Sequence, residues 1–315
     1  MKILVTGASG FIGQVVLHEL LKREHRVIAL VRSAPTRWSN LKNLEVIQSD
    51  LRQAERLDLR DRGIDVAVHL AATVTEKSAG EHFEDTVTGT VNLLSAARRA
   101  GICRIVGISS IAVLDYRTVP PMTVIDEKVA RSDGMEMGDY AASKLQQEIL
   151  FVAFGNESGN SCTILRPGLV YDESRLGTAH AGIIKGRLSL LVSHRGEVPT
   201  IQVHGLARAI ANATEIQLDG CDVMHLVDDH LPNQSEYIAG LRRRGLLPPI
   251  TIVIPWRALQ ALCAFTRTTL SAIGLRRKLP EIFLARSFSA RLEPFRFSNA
   301  KARRLLQWTP GREFT

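Results

Sequence analysis

A tyrosine and a lysine, two residue types that together could move a proton, stand four positions apart in the segment YAASK, residues 140–144. This spacing places Tyr140 and Lys144 on the same face of a helix. A phenol with a pKa of about 10 is a poor acid or base at neutral pH, but an adjacent ammonium favours the phenolate and lowers that pKa toward the working range. We therefore expect Tyr140 to act as a general acid or base, with Lys144 tuning its pKa.

A hydroxyl that could hold the same substrate oxygen belongs to Ser110. Residues 104–109 have the apolar pattern of a strand, and this strand runs directly into Ser109 and Ser110. A serine at the carboxyl end of a central strand lies over the crevice where ligands bind in open α/β sheets. The segment 114–139 that follows is long for a compact domain, and loops of this length usually cover a site.

The segment KILVTGASGFIG, residues 2–13, predicts a binding site for a dinucleotide. Its apolar run suits a buried strand, and Gly7, Gly10 and Gly13 lead directly into a helical pattern over residues 11–23. The first glycine allows a tight turn, the second lets the backbone approach a pyrophosphate, and the third lets the helix pack close to the strand. The phosphates would bind at the N-terminus of the helix. At the other end of the cofactor, Lys144 could bind the nicotinamide ribose hydroxyls.

Strands and helices alternate along the first half of the chain. The sequence predicts strands at 27–31, 44–48, 66–70 and 104–109, and helices at 11–23, 83–100 and 140–154. This alternation predicts an α/β fold with a doubly wound parallel sheet of the Rossmann type. We expect residues 1–167 to form an NAD(P)-binding domain. Residues 168–315, with predicted helices at 206–218 and 235–245 and a strand at 223–227, would form mostly a smaller C-terminal substrate-binding lobe, some segments of which return to the main domain.

The end of the second strand bears on the choice of cofactor. An NAD site usually has an acid there to bind the ribose 2′-hydroxyl, whereas this chain has Val31 followed by Arg32, a cation suited to a 2′-phosphate. The sequence therefore favours NADP(H), with NAD(H) as the alternative. Asp50 could accept a hydrogen bond from the adenine amino group or could simply cap the next helix, and the small Ala71 and Ala72 would let the backbone lie against the cofactor.

Composition excludes several other classes of function. With 315 residues, 45% of them hydrophobic, the chain can bury a large core. Its net charge of +8 is spread without interleaved aromatic residues, so nucleic-acid binding is not expected. Four scattered cysteines, no signal peptide and no apolar span of about 20 residues indicate a cytoplasmic protein with no transmembrane helix. The histidines lack ligand spacing, so no metal is expected.

Residues 246–275 are unusually apolar, and three basic residues, 276–278, follow them. We interpret this segment as an apolar wall of the substrate site or as a core helix. A wall of this kind would suit a lipophilic ketone better than a sugar. The alternative is a basic, apolar helix that rests on a membrane surface.

The sequence resembles the extended short-chain dehydrogenase/reductase superfamily, the group often called NAD-dependent epimerase/dehydratase. The resemblance rests on TGASGFIG at 6–13, the pair Asp50-Leu51, HLAA at 69–72, GTVNLLSAA at 89–97, SSIAV at 109–113, YAASK at 140–144, LRPGLVY at 165–171 and SNAKARRLLQWTP at 298–310. It implies a hydride-transfer site with Ser110, Tyr140 and Lys144 as the catalytic residues. It implies cofactor contacts from Gly7, Gly10, Phe11, Ile12, Gly13, Arg32, Asp50, Leu51, Leu70, Ala71, Ala72, Tyr140, Lys144, Pro167 and Gly168. It also implies a homodimer in which helices 83–100 and 140–154 of both subunits form a four-helix interface.

Departures from the family pattern bear on the reaction. Sugar dehydratases usually carry an acid pair where Ile111 and Ala112 stand, and many nucleotide-sugar epimerases have asparagine at the positions of Thr86 and Leu169. We therefore favour an NADP(H)-dependent reductase or dehydrogenase that acts on a secondary alcohol or ketone carbon. A nucleotide-sugar epimerase with retained NAD(P) is the alternative, and a catalytically silent dinucleotide-sensing protein is a third hypothesis that the intact catalytic residues oppose.

Overall fold

The computed structural model describes residues 1–73, 79–134, 137–272, 285–311 and Phe314. The strands in chain order are β1 (Lys2–Thr6), β2 (Arg26–Val31), β3 (Leu44–Gln48), β4 (Val66–His69), β5 (Arg104–Ile108), β6 (Val124–Ile125), β7 (Ser161–Pro167), β8 (Leu169–Tyr171), β9 (Gly182–Lys185), β10 (Leu188–Ser193), β11 (Thr200–Gln202), β12 (Gly220–Leu226), β13 (Ile250–Pro255) and β14 (Arg296–Phe297). The α-helices are α1 (Phe11–Lys22), α2 (Ala79–His82), α3 (Gly89–Arg99), α4 (Asp139–Gly155), α5 (Val203–Glu215), α6 (Gln234–Arg243), α7 (Trp256–Ala272), α8 (Ala285–Leu292) and α9 (Ala300–Leu305).

A parallel sheet, seven-stranded within the described residues, forms the centre of the molecule. Its strand order is β12-β7-β5-β4-β1-β2-β3, so the chain winds outward from β1 in both directions. Alternate residues of β1 enter two separate cores, because successive side chains of a strand point to opposite faces. Ile3 packs with Leu17 and Ile210 on one face, and Leu4 packs with Leu93 and Phe151 on the other. The predicted doubly wound α/β fold is confirmed.

The predicted continuous helix over residues 83–100 is wrong in one respect. A π-helical segment, Phe83–Thr88, precedes α3. Each wide turn holds an extra residue, so the apolar stripe of the helix changes phase where the α-helix resumes. In a regular helix Val91 would share one face with Val87 and Leu94. Here Val91 is 45% exposed, whereas Val87 and Leu94 are buried.

Parts of the second half of the chain return to the main sheet. Strand β12 pairs in parallel with β7 from Gly220↔Ser161 to Leu226↔Pro167, and α5 packs against α1. The rest of this half forms a three-stranded sheet in the order β13-β10-β9, in which β9 is antiparallel to β10, together with the short pairs β11-β8 and β14-β6. The sequence did not predict β9, β10 and β13.

The long segment between β5 and α4 is packed against the C-terminal part of the chain. Strand β6 pairs with β14, and Tyr116 and Ile125 join Phe295 in a small buried cluster. Residues 135–136, which the predicted loop includes, lie outside the described residues. Within the described residues, no helix combines the length and the apolar character that crossing a bilayer requires.

Candidate active site

The glycine turn is packed too closely for side chains at two of its three glycines. Gly7 has a φ of +68°, and a Cβ atom there would lie 2.8 Å from the backbone nitrogen of Ala71. A Cβ atom on Gly13 would lie 2.1 Å from the carbonyl oxygen of Gly7. No side chain caps Gly10 at the start of α1, so the N–H groups of the first helical turn remain available for an anion. These residues therefore fit a dinucleotide pyrophosphate.

Two adjoining clefts begin at this turn. A cavity of about 490 Å³ extends from the turn along the carboxyl ends of β5 and β7. A smaller cleft of about 210 Å³ extends along the carboxyl ends of β2 and β3. The larger cavity is lined by Gly7, Gly10, Phe11, Ile12, Gly13, Leu70, Ala72, Ser110, Tyr140, Lys144, Pro167 and Gly168. The smaller cleft is lined by Gly7, Gly10, Arg32, Asp50, Leu51, Leu70, Ala71 and Ala72. The structure thus brings every predicted site residue to one of the two clefts.

The proposed catalytic hydroxyls meet at one wall of the larger cavity. Ser110 follows β5 and caps the short helical turn Ile111–Val113, and its Oγ accepts a hydrogen bond of 3.2 Å from the N–H of Ala112. Tyr140 lies in the first turn of α4 and hydrogen-bonds Ser110. Removal from water raises the pKa of the Tyr140 phenol, and the hydrogen bond with Ser110 offsets only part of this rise.

Lys144 is buried one turn after Tyr140, with 3% of its surface exposed. Its Nζ donates hydrogen bonds to the carbonyl oxygen of Ile108, at 2.7 Å, and to Oε1 of Gln147, at 2.8 Å. Burial lowers the pKa of Lys144 to about 7, and the Glu148 carboxylate opposes this shift. Burial therefore favours the neutral form of both Tyr140 and Lys144 in the protein alone, and the lowering of the phenol pKa by Lys144 stays a prediction.

A buried polar network that sequence reasoning missed connects Lys144 with the glycine turn. Thr90 Oγ1 donates to the carbonyl oxygen of Thr86 at 2.6 Å and accepts from Nε2 of Gln147 at 2.9 Å. His69 Nε2 lies 2.8 Å from the same oxygen and must donate to it, so Nδ1 accepts from Oγ1 of Thr6 at 2.6 Å. These residues belong to four separate segments of the chain, so no spacing pattern in the sequence identifies the network.

A buried ion pair lies behind Ser110. Glu148, with no exposed surface, accepts hydrogen bonds from Nε of Arg166 at 2.9 Å and from Nη2 at 2.6 Å. It also accepts a hydrogen bond of 2.5 Å from Ser109 Oγ. These hydrogen bonds connect α4 to the carboxyl ends of β5 and β7, which form the wall of the larger cavity beside Ser110. The i, i+4 spacing of Glu148 from Lys144 is the one sequence signal that could have identified it.

The smaller cleft carries the cation that could discriminate between cofactors. Arg32 is exposed at the end of β2. Asp50 accepts hydrogen bonds from the backbone N–H and the guanidinium of Arg52, and these bonds lower the pKa of the Asp50 carboxyl although burial opposes the shift. This agrees with the local capping interpretation of Asp50. Sequence reasoning missed a further cation, Arg175, whose guanidinium lies 4.8 Å from the ring centroid of Phe11 beside the glycine turn.

The outer part of the larger cavity is mainly apolar. Its apolar lining comes from Ile108, Ile111, Ala112, Leu114, Met137, Leu169, Val170, Ala179 and Ala290. Its polar groups include His180, whose Nδ1 donates to the carbonyl oxygen of Arg291 at 3.1 Å, and burial lowers the pKa of His180 to about 4. No residue of 246–272 contributes to this lining, so the predicted apolar wall from that segment is wrong for the part that the structure describes.

Comparison with known proteins gives one family and several relatives. The family described as "NAD dependent epimerase/dehydratase family" matches residues 3–208. The chain is 29% identical over 251 residues to a 3 beta-hydroxysteroid dehydrogenase/Delta 5-->4-isomerase of Mycobacterium tuberculosis, an alignment that covers 75% of this chain and 64% of that protein. It is 29% identical over 215 residues to a 2-alkyl-3-oxoalkanoate reductase of Stenotrophomonas maltophilia, an alignment that covers 66% of this chain and 64% of that protein. It is 30% identical over 197 residues to a UDP-glucose 4-epimerase of Mycolicibacterium smegmatis, an alignment that covers 58% of this chain and 61% of that protein. The match spans just under two thirds of the length of these relatives.

Solved structures share the fold at low sequence identity. The structure of gox2253 has a TM-score of 0.75 and 22% identity, with coverage of 98% of this chain and 93% of that chain. The structure of MoeE5 in complex with UDP-glucose and NAD has a TM-score of 0.67 and 20% identity, with coverage of 100% and 95%.

Proposed function

Because the chain belongs to the NAD-dependent epimerase/dehydratase family, we propose that it is an oxidoreductase that transfers hydride between NADP(H) and a secondary alcohol or ketone carbon. One observation carries the proposal: Ser110, Tyr140 and Lys144 lie together on a largely apolar cavity that begins at the glycine turn. Two of the relatives are named for a hydroxysteroid and a 3-oxoalkanoate, compounds with a hydroxyl or ketone group on a hydrocarbon skeleton. MoeE5, a structural neighbour, is described with bound NAD.

The chain's own residues would position and protonate the substrate oxygen. The glycine turn and the first turn of α1 would hold the cofactor, which when bound would supply or accept the hydride. Ser110 would donate a hydrogen bond to the carbonyl oxygen of a ketone, and Tyr140 would transfer its phenolic proton to that oxygen. The raised pKa of Tyr140 keeps the phenol protonated at neutral pH, which is the form that ketone reduction needs.

We expect NADPH binding to weaken as the pH rises through about 7. Below its pKa of about 7, Lys144 adds a positive charge to the cavity, and above it the amine is neutral. Of the groups around it, Glu148 is already paired with Arg166, and His69, whose pKa burial lowers to about 3, stays neutral throughout. The Kd for NADPH, measured by fluorescence titration from pH 6 to 9, should therefore increase over this window. In the Lys144→Met variant, the Kd for NADPH should lack the change centred on about pH 7. If the Kd of this variant depends on pH in the same way as that of the wild type, the titration belongs to another group.

NADP(H) preference rests on Arg32 in the smaller cleft. A hydrogen bond to a charged partner contributes about 1.5–3 kcal/mol, so Arg32→Ala should raise the Kd for NADPH by roughly tenfold to hundredfold. The Kd for NADH should change by less than about threefold, since NADH has no 2′-phosphate. Arg52→Ala is the matched control, because Arg52 lines the same cleft but is hydrogen-bonded to Asp50. Equal losses for NADPH and NADH in Arg32→Ala would contradict the preference.

A nucleotide-sugar epimerase is the second candidate, favoured by the similarity to UDP-glucose 4-epimerase. In that reaction the same residues would remove and then return hydrogen at one carbon. Mass spectrometry of the denatured protein distinguishes the two candidates, because an epimerase would carry a tightly retained dinucleotide. A panel of ketones with NADPH then tests the reductase directly: consumption of NADPH with an apolar ketone supports it, and none with any ketone favours the epimerase.

We also propose a homodimer through the helices around α3 and α4. Phe83, Val91 and Ile149 are apolar and between 42% and 52% exposed on these helices, which supports an interface there.

A cytoplasmic setting is supported by the four cysteines, all of which are free thiols.

A further inference from the structure

Half of the exposed large apolar side chains in the described part of the chain lie in one part of the C-terminal lobe. Of the fourteen exposed large hydrophobic residues in the described part of the chain, seven belong to β10, β13, α7 or the turn after α6. They are Leu188, Leu246, Ile250, Ile252, Val253, Leu262 and Phe265, with exposed fractions from 38% to 71%. We refer to five of them, Leu188, Ile250, Ile252, Leu262 and Phe265, as the β13–α7 surface.

Helix α7 exposes large apolar side chains in addition to the apolar stripe that it buries. Its inner side buries Leu259 and Cys263 against Phe288 and Leu292 of α8. Its outer side presents Leu262, 47% exposed, and Phe265, 71% exposed. A helix at the surface of a soluble domain normally carries polar residues on the side that faces away from the core. The outer side of α7 is therefore unlike that of an ordinary surface helix.

Strand β13 continues this exposure onto the sheet. In the described part of the chain β13 pairs only with β10, with Leu188 beside Ile250 and Leu190 beside Ile252. Neighbours in a parallel register point to the same face, so Leu188, Ile250 and Ile252 share one face of the sheet. Leu190 of that face also packs against the cluster under α7. The exposed parts of the strand and of the helix thus border the same buried cluster.

The segment that carries this surface is strongly basic. Its described part, residues 237–272, contains five basic residues and no acidic residue. Arg242 and Arg243 are exposed just before the segment's apolar stretch, and Arg257 is exposed at the start of α7. Lys185 and Arg187 are exposed beside Leu188. Apolar side chains with flanking arginine and lysine are suited to an anionic bilayer, where the rings and aliphatic groups enter the interface and the cations bind lipid phosphates.

We propose that the β13–α7 surface docks on an anionic lipid bilayer. A second copy of the chain fits this surface less well, because a symmetric contact would bring two cationic rims together. The location also matches the cavity: Ser287, Ala290 and Arg291 of α8 line it, and α8 packs directly under α7. Docking therefore places the apolar cavity one helix away from the hydrocarbon phase.

Co-sedimentation of the purified full chain with vesicles tests the proposal. The wild-type protein should bind vesicles of phosphatidylcholine mixed with phosphatidylglycerol, and added salt should weaken the binding. The double variant Leu262→Ser/Phe265→Ser should lower the partition coefficient by roughly tenfold or more. Arg242→Gln/Arg243→Gln should lower it by roughly tenfold to thirtyfold, at about fivefold for each charge. Val124→Ser, which alters a 49% exposed residue of β6, is the matched control and should bind like the wild type.

The NADPH Kd and the Tm of each variant establish that the protein is folded. Docking is refuted if the wild type fails to bind anionic vesicles or if Leu262→Ser/Phe265→Ser binds as well as the wild type. Equal binding to pure phosphatidylcholine would refute the anionic specificity. Self-association is the remaining outcome. It would be indicated if the wild type did not bind vesicles and if the double variant Leu262→Ser/Phe265→Ser had a smaller mass in solution than the wild type.

Discussion

Tyr140→Phe should lower kcat for ketone reduction by roughly 10² to 10⁴, while the Kd for NADPH should change by less than about threefold. The substitution removes only the phenolic hydroxyl, which hydrogen-bonds Ser110 and is the group placed to protonate the substrate oxygen. Phenylalanine keeps the ring in the cavity wall, so the shape of the cofactor site is preserved. Steady-state kinetics with NADPH and the best ketone substrate measures the effect.

Tyr116→Phe provides the control for this experiment. Tyr116 lines the same cavity, but its hydroxyl donates to the carbonyl oxygen of Ile111 at 3.0 Å and is fully buried. We expect this variant to lose about 1 kcal/mol of stability and to keep its kcat within a few-fold of the wild type. Undiminished turnover in Tyr140→Phe would remove the general acid from the proposed mechanism, and a parallel loss in both variants would indicate a general disturbance of the cavity.

Glu148→Leu should lower the free energy of unfolding by about 3–5 kcal/mol, because it leaves the buried Arg166 guanidinium without its counter-charge. Both side chains of the pair are at most 5% exposed, so water cannot replace the lost carboxylate. Urea denaturation followed by circular dichroism measures the change. The double variant Glu148→Leu/Arg166→Met should recover most of the loss, since it removes both charges together.

The surface pair of Arg98 with Glu157 is the comparison for this ion pair. It has the same residue types, but its side chains are more than 40% exposed. Glu157→Leu should therefore cost less than about 1 kcal/mol. Comparable losses for Glu148→Leu and Glu157→Leu would mean that burial does not set the strength of these pairs.

The sequence predicted the elements whose signals are local. The order of strand, glycine turn and helix at Gly7, Gly10 and Gly13 is a short-range pattern, and the structure shows the close backbone approaches that it implies. The spacing of Tyr140 and Lys144 likewise depends on one helix. The parallel sheet followed from the alternation of strands and helices, because this alternation leaves few other topologies.

Features that depend on the tertiary structure could not be predicted in this way. The π-helical segment before α3 has no sequence signal that we recognised, and it turned Val91 outward. The hydrogen bonds among Thr6, His69, Thr90 and Gln147 join residues from four separate segments. The pKa of Lys144 depends on its burial, which no i, i+4 spacing reveals. The outward side of α7 has the composition of a core helix, so composition alone favoured the wrong environment.

The two hydrogen bonds of Lys144 limit what its ammonium can do during turnover. An ammonium carries three protons, and those on Lys144 that point to Ile108 and Gln147 are already engaged. One proton remains for either a sugar hydroxyl of a bound nucleotide or the phenolic oxygen of Tyr140. The ammonium can donate to both only if it gives up Ile108 or Gln147, so a bound ribose and the phenolic oxygen of Tyr140 compete for a single donor.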